Sequence, residues 1–144
     1  KLIQALFLDR GVSQDLTLFL KLASIGTVAD VARLQGENRI LVRQGLGRLN
    51  EVKTPGLESL LAISGIGSRD INEVDLGFRV GPRINAAGRL GETELALKLF
   101  FSDSEEECAE LVKKLNELNN TRQRIEEKIL KEVQELADKG YKEI

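Results

Sequence analysis

The sequence contains no histidine, tryptophan or methionine, and its only cysteine is Cys108. Without histidine, the chain cannot form a Ser/His/Asp triad, and it lacks the commonest zinc ligand and general base. A single cysteine cannot form an internal disulfide, which fits a reducing cytoplasm. Chemistry in these 144 residues must therefore use carboxylates and arginines, or be completed by residues supplied from elsewhere.

Long hydrophobic runs are missing as well. No apolar stretch approaches the roughly 18 residues that a membrane span needs, and the start of the chain does not resemble a signal peptide. We therefore expect a cytoplasmic protein without a membrane partner. Aromatic residues make up only 4% of the chain. Few rings are available to stack on bases, so any nucleic-acid contact is expected to involve mainly the backbone.

The net charge of −2 hides an asymmetry along the chain. Residues 1–91 contain 12 Lys+Arg and 9 Asp+Glu, whereas residues 92–144 contain 9 and 14. Within residues 22–91, arginine outnumbers lysine by eight to one. Because the planar guanidinium binds phosphate or carboxylate through two parallel hydrogen bonds, this bias indicates an anion-binding surface. Arginines that join helices through ion pairs explain the composition equally well.

The spacing of apolar residues predicts a mainly α fold. Ser13 is a plausible N-cap, Gly26 a plausible helix end, and Pro55 suits a first helical position. A much longer helix is predicted over residues 102–139, opened by the capping-box pair Ser102 and Glu105 and ended by Gly140. The last four residues, "YKEI", resemble the start of a strand. Both ends of the chain look interrupted, so we expect an internal piece of a longer protein.

The apolar stripe of the long helix is interrupted by "NNTRQR", where Arg122 stands at an expected apolar position. One interpretation is a coiled-coil seam or connecting rod. The other is a helix that spans two domains and is polar where it crosses a cleft.

Asp30 is the first candidate for chemistry, because it lies among apolar neighbours in "IGTVADVARL". A carboxylate in such surroundings is costly unless it caps a helix, pairs with an arginine or binds a metal. Thr27 and Asp30 also fit the start of a helix, which leaves the structural interpretation open. A two-metal phosphoesterase centre needs several converging ligands, so Asp30 alone cannot supply one.

The second candidate is the glycine-flanked segment "GPRINAAGRLG". Arg83 and Arg89 could each bind a phosphate, with the Asn85 amide between them. A packing corner between helices, with its arginines paired to distant acids, is an equally good interpretation. The nearby "LLAISGIGSRDI" faintly resembles a helix–hairpin–helix, whose turn offers backbone amides to phosphate.

Three segments together resemble the bacterial RecJ family of single-stranded-DNA-specific 5′→3′ exonucleases, in the DHH phosphoesterase superfamily. They are "IGTVADVARLQGENRILVRQGLGRL", "LGFRVGPRINAAGRLG" and "LNELNNTRQRIEEKI", and they occur in the family's order and spacing. The resemblance implies that residues 1–101 are the C-terminal helical part of a DHH catalytic domain. Residues 102–139 would be a long interdomain connecting helix, and residues 140–144 the start of the next domain.

The same resemblance implies roles for particular residues. Asp30 matches the family's last metal-ligand motif and would bind a catalytic Mn²⁺ or Mg²⁺ in the complete protein. Binding of DNA phosphates is implied for six residues of the second and third segments: Arg79, Arg83, Asn85, Arg89, Arg122 and Gln123. The family's upstream Asp and Asp-His-His motifs are absent, so we expect this piece alone to be inactive.

The resemblance therefore predicts part of a metal-dependent exonuclease of DNA repair and recombination. Its substrate would be single-stranded DNA, with a helicase or single-strand-binding protein as a partner. Two alternatives from other classes are a non-catalytic helical DNA-binding module and a structural adaptor. An adaptor explains the long helix but leaves the arginine-rich glycine segment unexplained.

Overall fold

The computed structural model describes residues 2–13, 15–49, 51, 54–66 and 69–138. These residues form helices joined by turns and contain no β-strand, which confirms the mainly α prediction. The helices in chain order are α1 (Leu2–Asp9), α2 (Thr17–Ala29), α3 (Gly36–Leu49), α4 (Pro55–Ile63), α5 (Glu73–Asp75), a π-helical segment (Leu76–Val80), α6 (Gly81–Arg89), α7 (Thr93–Phe101) and α8 (Glu105–Asp138).

Helices α2 and α3 pack closely because glycine lies at their crossing. A Cβ atom on Gly45 would lie 2.4 Å from the Ser24 hydroxyl and 2.7 Å from the Leu20 carbonyl oxygen. Ile25 and Leu49, both buried, extend this contact into the core. The pair thus forms one side of the fold and ends at the turn that carries Asp30.

The main core lies where α4, α6 and α7 pack against the first half of α8. Its largest fully buried side chains include Leu60, Leu99 and Leu115. Burial of each such leucine stabilises the fold by roughly 1.5–3 kcal/mol, so these contacts fix how the four helices are arranged.

A single helical run from Glu73 to Arg89 changes its pitch in the middle. Over Leu76–Val80 the backbone is π-helical, and the Gly81 N–H donates to the Leu76 carbonyl, five residues back. Pro82 follows, and its ring excludes the usual bond to the carbonyl four residues before it. The wider π turn accommodates this proline, and such turns often occur at functional sites.

Two predicted boundaries of α2 are wrong. The helix begins at Thr17 rather than just after Ser13, and the Asp15 carboxylate accepts hydrogen bonds from the Thr17 N–H and hydroxyl. It also continues through Gly26 to Ala29, because a helix interior tolerates an isolated glycine at modest cost. Pro55, in contrast, opens α4 as predicted.

Helix α8 begins at Glu105, and its cap is Ser104 rather than the predicted Ser102. The Ser104 hydroxyl oxygen accepts from the Glu107 N–H at 3.2 Å, whereas the Ser102 hydroxyl donates to the Glu107 carboxylate. Buried side chains on α8 extend only to Asn119, and nearly all later ones are exposed. The predicted stop at Gly140 and the "YKEI" strand lie outside the described residues.

Candidate nucleic-acid interface

A polar cleft of about 580 Å³ lies between the π segment, the start of α6 and the middle of α8. The described residues that line it carry three guanidinium groups and no carboxylate; they are Ser64, Phe78, Arg79, Pro82, Arg83, Asn119, Asn120, Arg122 and Gln123. Four of the six residues proposed to bind DNA thus line one cleft. Asn85 and Arg89 do not line it.

Arg83 is half-buried and donates hydrogen bonds to three acceptors within the protein. Its Nε donates to the Asn116 side-chain oxygen at 3.0 Å, and one terminal nitrogen donates to the Ile63 carbonyl at 3.2 Å. The other terminal nitrogen donates to the Arg79 carbonyl. Burial lowers the pKa of Arg83 from its ordinary value. Arg83 therefore joins α6 to α4 and α8, while still bringing positive charge to the cleft wall.

Arg122 stands on the opposite wall, on α8. One terminal nitrogen donates to Glu126, one turn further along, and the other to the Asn119 side-chain oxygen at 3.3 Å. Its Nε is buried and has no hydrogen-bond partner in the described part of the chain. An unmet buried donor of this kind costs stability.

Arg89 lies outside the cleft and is two-thirds exposed. Its guanidinium is 4.0 Å from the Glu126 carboxylate that Arg122 also contacts. Glu126 therefore balances part of the positive charge at this end of the cleft.

Arg79 is anchored near a buried carboxylate that the sequence analysis did not single out. Asp75 accepts two hydrogen bonds from Arg69, at 2.6 and 2.7 Å, and its oxygen lies 3.4 Å from Arg79 Nε. Together with Asn72 it also forms a capping box at the start of α5. These contacts, chiefly the Arg69 hydrogen bonds, lower the pKa of Asp75. The Asn-x-x-Asp spacing was the available signal, because it marks a helix start.

Asp30 lies at the C-terminal end of α2 and is exposed, so the helix-start interpretation of Thr27 and Asp30 is wrong. The Thr27 hydroxyl instead donates back to the Ala23 carbonyl. The Asn85 side chain donates to the Ala29 carbonyl at 2.9 Å, so α6 holds the helix end next to Asp30. Asn85 is thus placed at the Asp30 turn rather than in the cleft.

The residue after Asp30 has an unfavourable backbone conformation. Val31 has φ of +55°, a region that β-branched side chains rarely adopt, and its side chain is almost fully exposed. Strain of this kind costs on the order of 1–2 kcal/mol and is typical of functional turns.

An apolar groove borders this turn and includes Val28, Val31, Val74 and Phe78. Phe78 also lines the polar cleft, so its ring belongs to both walls.

Three further structural features concern a metal cluster, the helix–hairpin–helix interpretation and membrane insertion. In the described ranges, no three His, Cys, Asp or Glu side chains are close enough to hold a metal ion. In the turn that resembles a helix–hairpin–helix, the N–H groups of Gly65 and Ile66 donate to the Ala62 and Leu61 carbonyls. Those amides are therefore not available to a phosphate. No helix in the described part of the chain has the length and apolarity to cross a membrane.

Comparison with known proteins identifies relatives whose names describe them as exonucleases. No protein-family model matches it. The chain is 43% identical over 126 residues to a single-stranded-DNA-specific exonuclease of Thermus thermophilus, and 38% identical over 138 residues to one of Escherichia coli. These matches cover 88% and 94% of this chain but only 18% and 24% of the two relatives.

Both relatives carry the name RecJ, and the structural comparison agrees. The fold matches the crystal structure of Thermus thermophilus RecJ in complex with Mn²⁺ with a TM-score of 0.77 at 41% identity. The Mg²⁺ complex of the same protein matches with a TM-score of 0.78, and each match covers 89% of this chain. The resemblance to the RecJ family is therefore confirmed, for a chain that spans about a fifth of its relatives' length.

Proposed function

We propose that this chain is a segment of a metal-dependent, single-stranded-DNA-specific 5′→3′ exonuclease. It would contribute one metal-binding carboxylate, Asp30, and part of the surface that holds the strand. The observation that carries the proposal is the cleft in which Arg79, Arg83 and Arg122 converge without a carboxylate on its described lining. The same helix α6 that forms one wall also holds the Asp30 turn through Asn85.

The cleft suits the sugar–phosphate backbone of a single strand. Arginine accounts for much of phosphate recognition because its fork matches two phosphate oxygens. The lining also carries the neutral side-chain amides of Asn119, Asn120 and Gln123. Such amides donate hydrogen bonds to phosphate or to base edges and carry no net charge.

Asp30 fits one position in a Mn²⁺ or Mg²⁺ site. Its carboxylate is exposed and has no hydrogen-bond or ion-pair partner among the described residues, and carboxylate oxygen is the ligand type that these ions prefer. The remaining ligands would come from parts of a longer polypeptide. A metal bound there would supply an activated water and would stabilise charge on the attacked phosphodiester. Asn85 would fix the position of Asp30 by holding the preceding carbonyl.

Helix α8 is proposed to connect this helical part of the catalytic domain, residues 1–101, to a further domain beyond residue 139. Its first half belongs to the core and its second half is exposed, as expected of a connector. A role in repair or recombination, a cytoplasmic location and a helicase or single-strand-binding protein as a partner follow from the same family resemblance.

The test uses the complete open reading frame that encodes this segment, with degradation of a 5′-labelled single strand measured in Mn²⁺. Asp30→Asn removes one metal ligand and should lower turnover at least 100-fold while strand binding persists. Arg122→Gln should instead weaken strand binding and reduce the slope of log affinity against log salt by about 1.

Matched controls exist for both changes. Asp103 is an exposed aspartate outside the cleft, and Arg124 is an exposed arginine two residues from Arg122 on the same helix. Asp103→Asn and Arg124→Gln should leave turnover and the salt slope unchanged. Full turnover in Asp30→Asn would refute the metal-ligand role, and a complete protein that degrades no single strand would refute the proposed function.

A further inference from the structure

We propose that Phe78 is a stacking platform for a nucleotide base of the bound strand. The inference rests on the proposed function, and it adds a base contact to a surface so far described as binding phosphates. Phe78 is 80% exposed, although burial of a phenyl ring is strongly favourable. A ring this exposed contributes little to the core of the described residues, and its place on the cleft wall beside the arginines makes it accessible to a bound strand.

The position of Phe78 relative to the charged groups supports the assignment. Its ring lines the polar cleft together with Arg79, Arg83 and Arg122, and it also lines the apolar groove that contains Val31. Val31 directly follows Asp30 in the chain. A strand that ran from the cleft arginines along the groove toward the Asp30 turn would pass over Phe78.

The local backbone makes Phe78 a firm support for a base. The ring projects from the middle of the π segment, between Leu76 and Val80, which are both fully buried. Gly81 closes the turn with its bond to the Leu76 carbonyl and packs against Ala29 of α2. A base that stacks on this ring would therefore not have to order the backbone beneath it, and preorganisation of this kind favours affinity.

The chemistry of the cleft fits single-stranded nucleic acid better than another anion. Cationic groups track a phosphate backbone, and an aromatic face beside them takes a base of any sequence. A free phosphate or an acidic peptide would use the arginines but would gain little from an exposed phenyl face. The combination therefore identifies the ligand by its two parts, a phosphate and a flat ring.

Tryptophan fluorescence offers a direct test because these 144 residues contain no tryptophan. Phe78→Trp in the complete protein adds a reporter at the proposed platform, and its signal is the difference from the unaltered protein. Titration with a dT oligonucleotide should quench its emission, and an abasic oligonucleotide with the same number of phosphates should quench it far less. The control is Phe101→Trp, because Phe101 is 75% exposed at the end of α7 and does not line the cleft. Its emission should not change with either oligonucleotide.

Affinity measurements on the complete protein, without divalent metal so that the strand is not degraded, separate stacking from phosphate binding. Phe78→Ala should weaken binding of the dT oligonucleotide by about 10-fold at unchanged salt slope, because stacking contributes roughly 1–3 kcal/mol per base. It should leave binding of the abasic oligonucleotide unchanged. Arg122→Gln should weaken binding of both oligonucleotides and reduce the salt slope by about 1.

The outcomes distinguish the two proposals. If Phe78→Ala binds the dT strand as tightly as the unaltered chain, or if the Phe78→Trp emission ignores it, stacking is refuted while phosphate binding stands. If Arg122→Gln in the complete protein binds both oligonucleotides as tightly as the unaltered protein, the strand-binding role of the cleft is refuted, and stacking with it. Circular dichroism and urea unfolding of Phe78→Ala should match the unaltered chain, since the ring is exposed.

Discussion

Asp75 shows how one buried carboxylate organises the cationic wall of the cleft. Among the described residues, Asp75 is the one fully buried carboxylate, and the Arg69 guanidinium donates a hydrogen bond to each of its oxygens. Asp75 and Asn72 each donate a backbone N–H to the other's side chain. This capping box begins the helical run that carries Phe78, Arg79 and Arg83. The position of Arg79 on the cleft wall thus depends on an acid that lies outside the cleft.

Asp75→Asn should lower the free energy of unfolding by about 2 kcal/mol at neutral pH, because a charge-assisted pair becomes a weaker neutral one. The pKa of Asp75 is depressed in the folded state, so its contribution to stability is present above the unfolded pKa of about 3.9. That contribution is lost as the pH falls through the folded pKa.

The measurement is urea unfolding of both proteins across pH 7 to pH 3, with Asp103→Asn as the exposed control. The difference between the unaltered chain and Asp75→Asn should shrink toward low pH. A difference that stays constant with pH would show that the ionised form of Asp75 is not what stabilises the fold.

At the scale of single residues, the sequence indicated which arginines matter but not which groups they hydrogen-bond to. The resemblance to the RecJ family singled out Arg79, Arg83 and Arg122, and the structure brings all three to one cleft. Two of the acceptors of Arg83, Asn116 and Ile63, lie 33 and 20 residues away in the sequence. No local sequence pattern encodes such contacts. The burial of Arg83 likewise depends on tertiary packing.

Among the secondary-structure elements, close approach of helices decides where glycine is required. Gly56 lies in α4 against the backbone of α7, and a Cβ atom there would be 1.7 Å from the Leu99 carbonyl oxygen. Gly47 lies in α3, where a Cβ atom would meet nothing within 4 Å. The two glycines look alike in sequence but differ in what surrounds them.

Gly56→Ala should lower the free energy of unfolding by about 3 kcal/mol, because backbone must move to relieve the overlap. Gly47→Ala should raise it by about 1 kcal/mol, since alanine favours a helix interior. Thermal or urea unfolding of the two variants measures both effects. Equal effects of the two substitutions would mean that α4 and α7 do not approach as closely as described.

Apolar periodicity predicted which segments are helical, but it did not predict where the helices begin and end. Ser13 and Ser102 had acceptable capping chemistry, yet nearby Asp15 and Ser104 make the observed contacts. Each helix start offered two competing polar residues, and only the packed structure decides between them. The π segment was also missed, because it results from Pro82 being accommodated inside a helix rather than at its start.

The molecule as a whole has a one-sided core. Cys108, Leu111 and Leu115 of α8 are buried against the other helices. Ile125, Ile129 and Leu136 on the same helix are about half exposed. The folded unit therefore uses the first half of α8 for stability, and the second half adds little to it.

Leu115→Ala should lower the free energy of unfolding by about 3 kcal/mol, as is typical of a leucine deleted from a packed core. Leu136→Ala, the same substitution on the exposed half of the helix, should change it by less than about 0.5 kcal/mol. Urea unfolding at one pH compares the pair directly. A large effect of Leu136→Ala would show that the second half of α8 is packed in solution.

The exposed half of α8 also has a mechanical consequence. The 19 residues after Asn119 extend about 28 Å at 1.5 Å per residue, as a rigid arm whose base forms one wall of the cleft. A tilt of about 10° at that base would swing the tip by about 5 Å. A domain attached to the far end of α8 would therefore move when the width of the cleft between Arg83 and Arg122 changed.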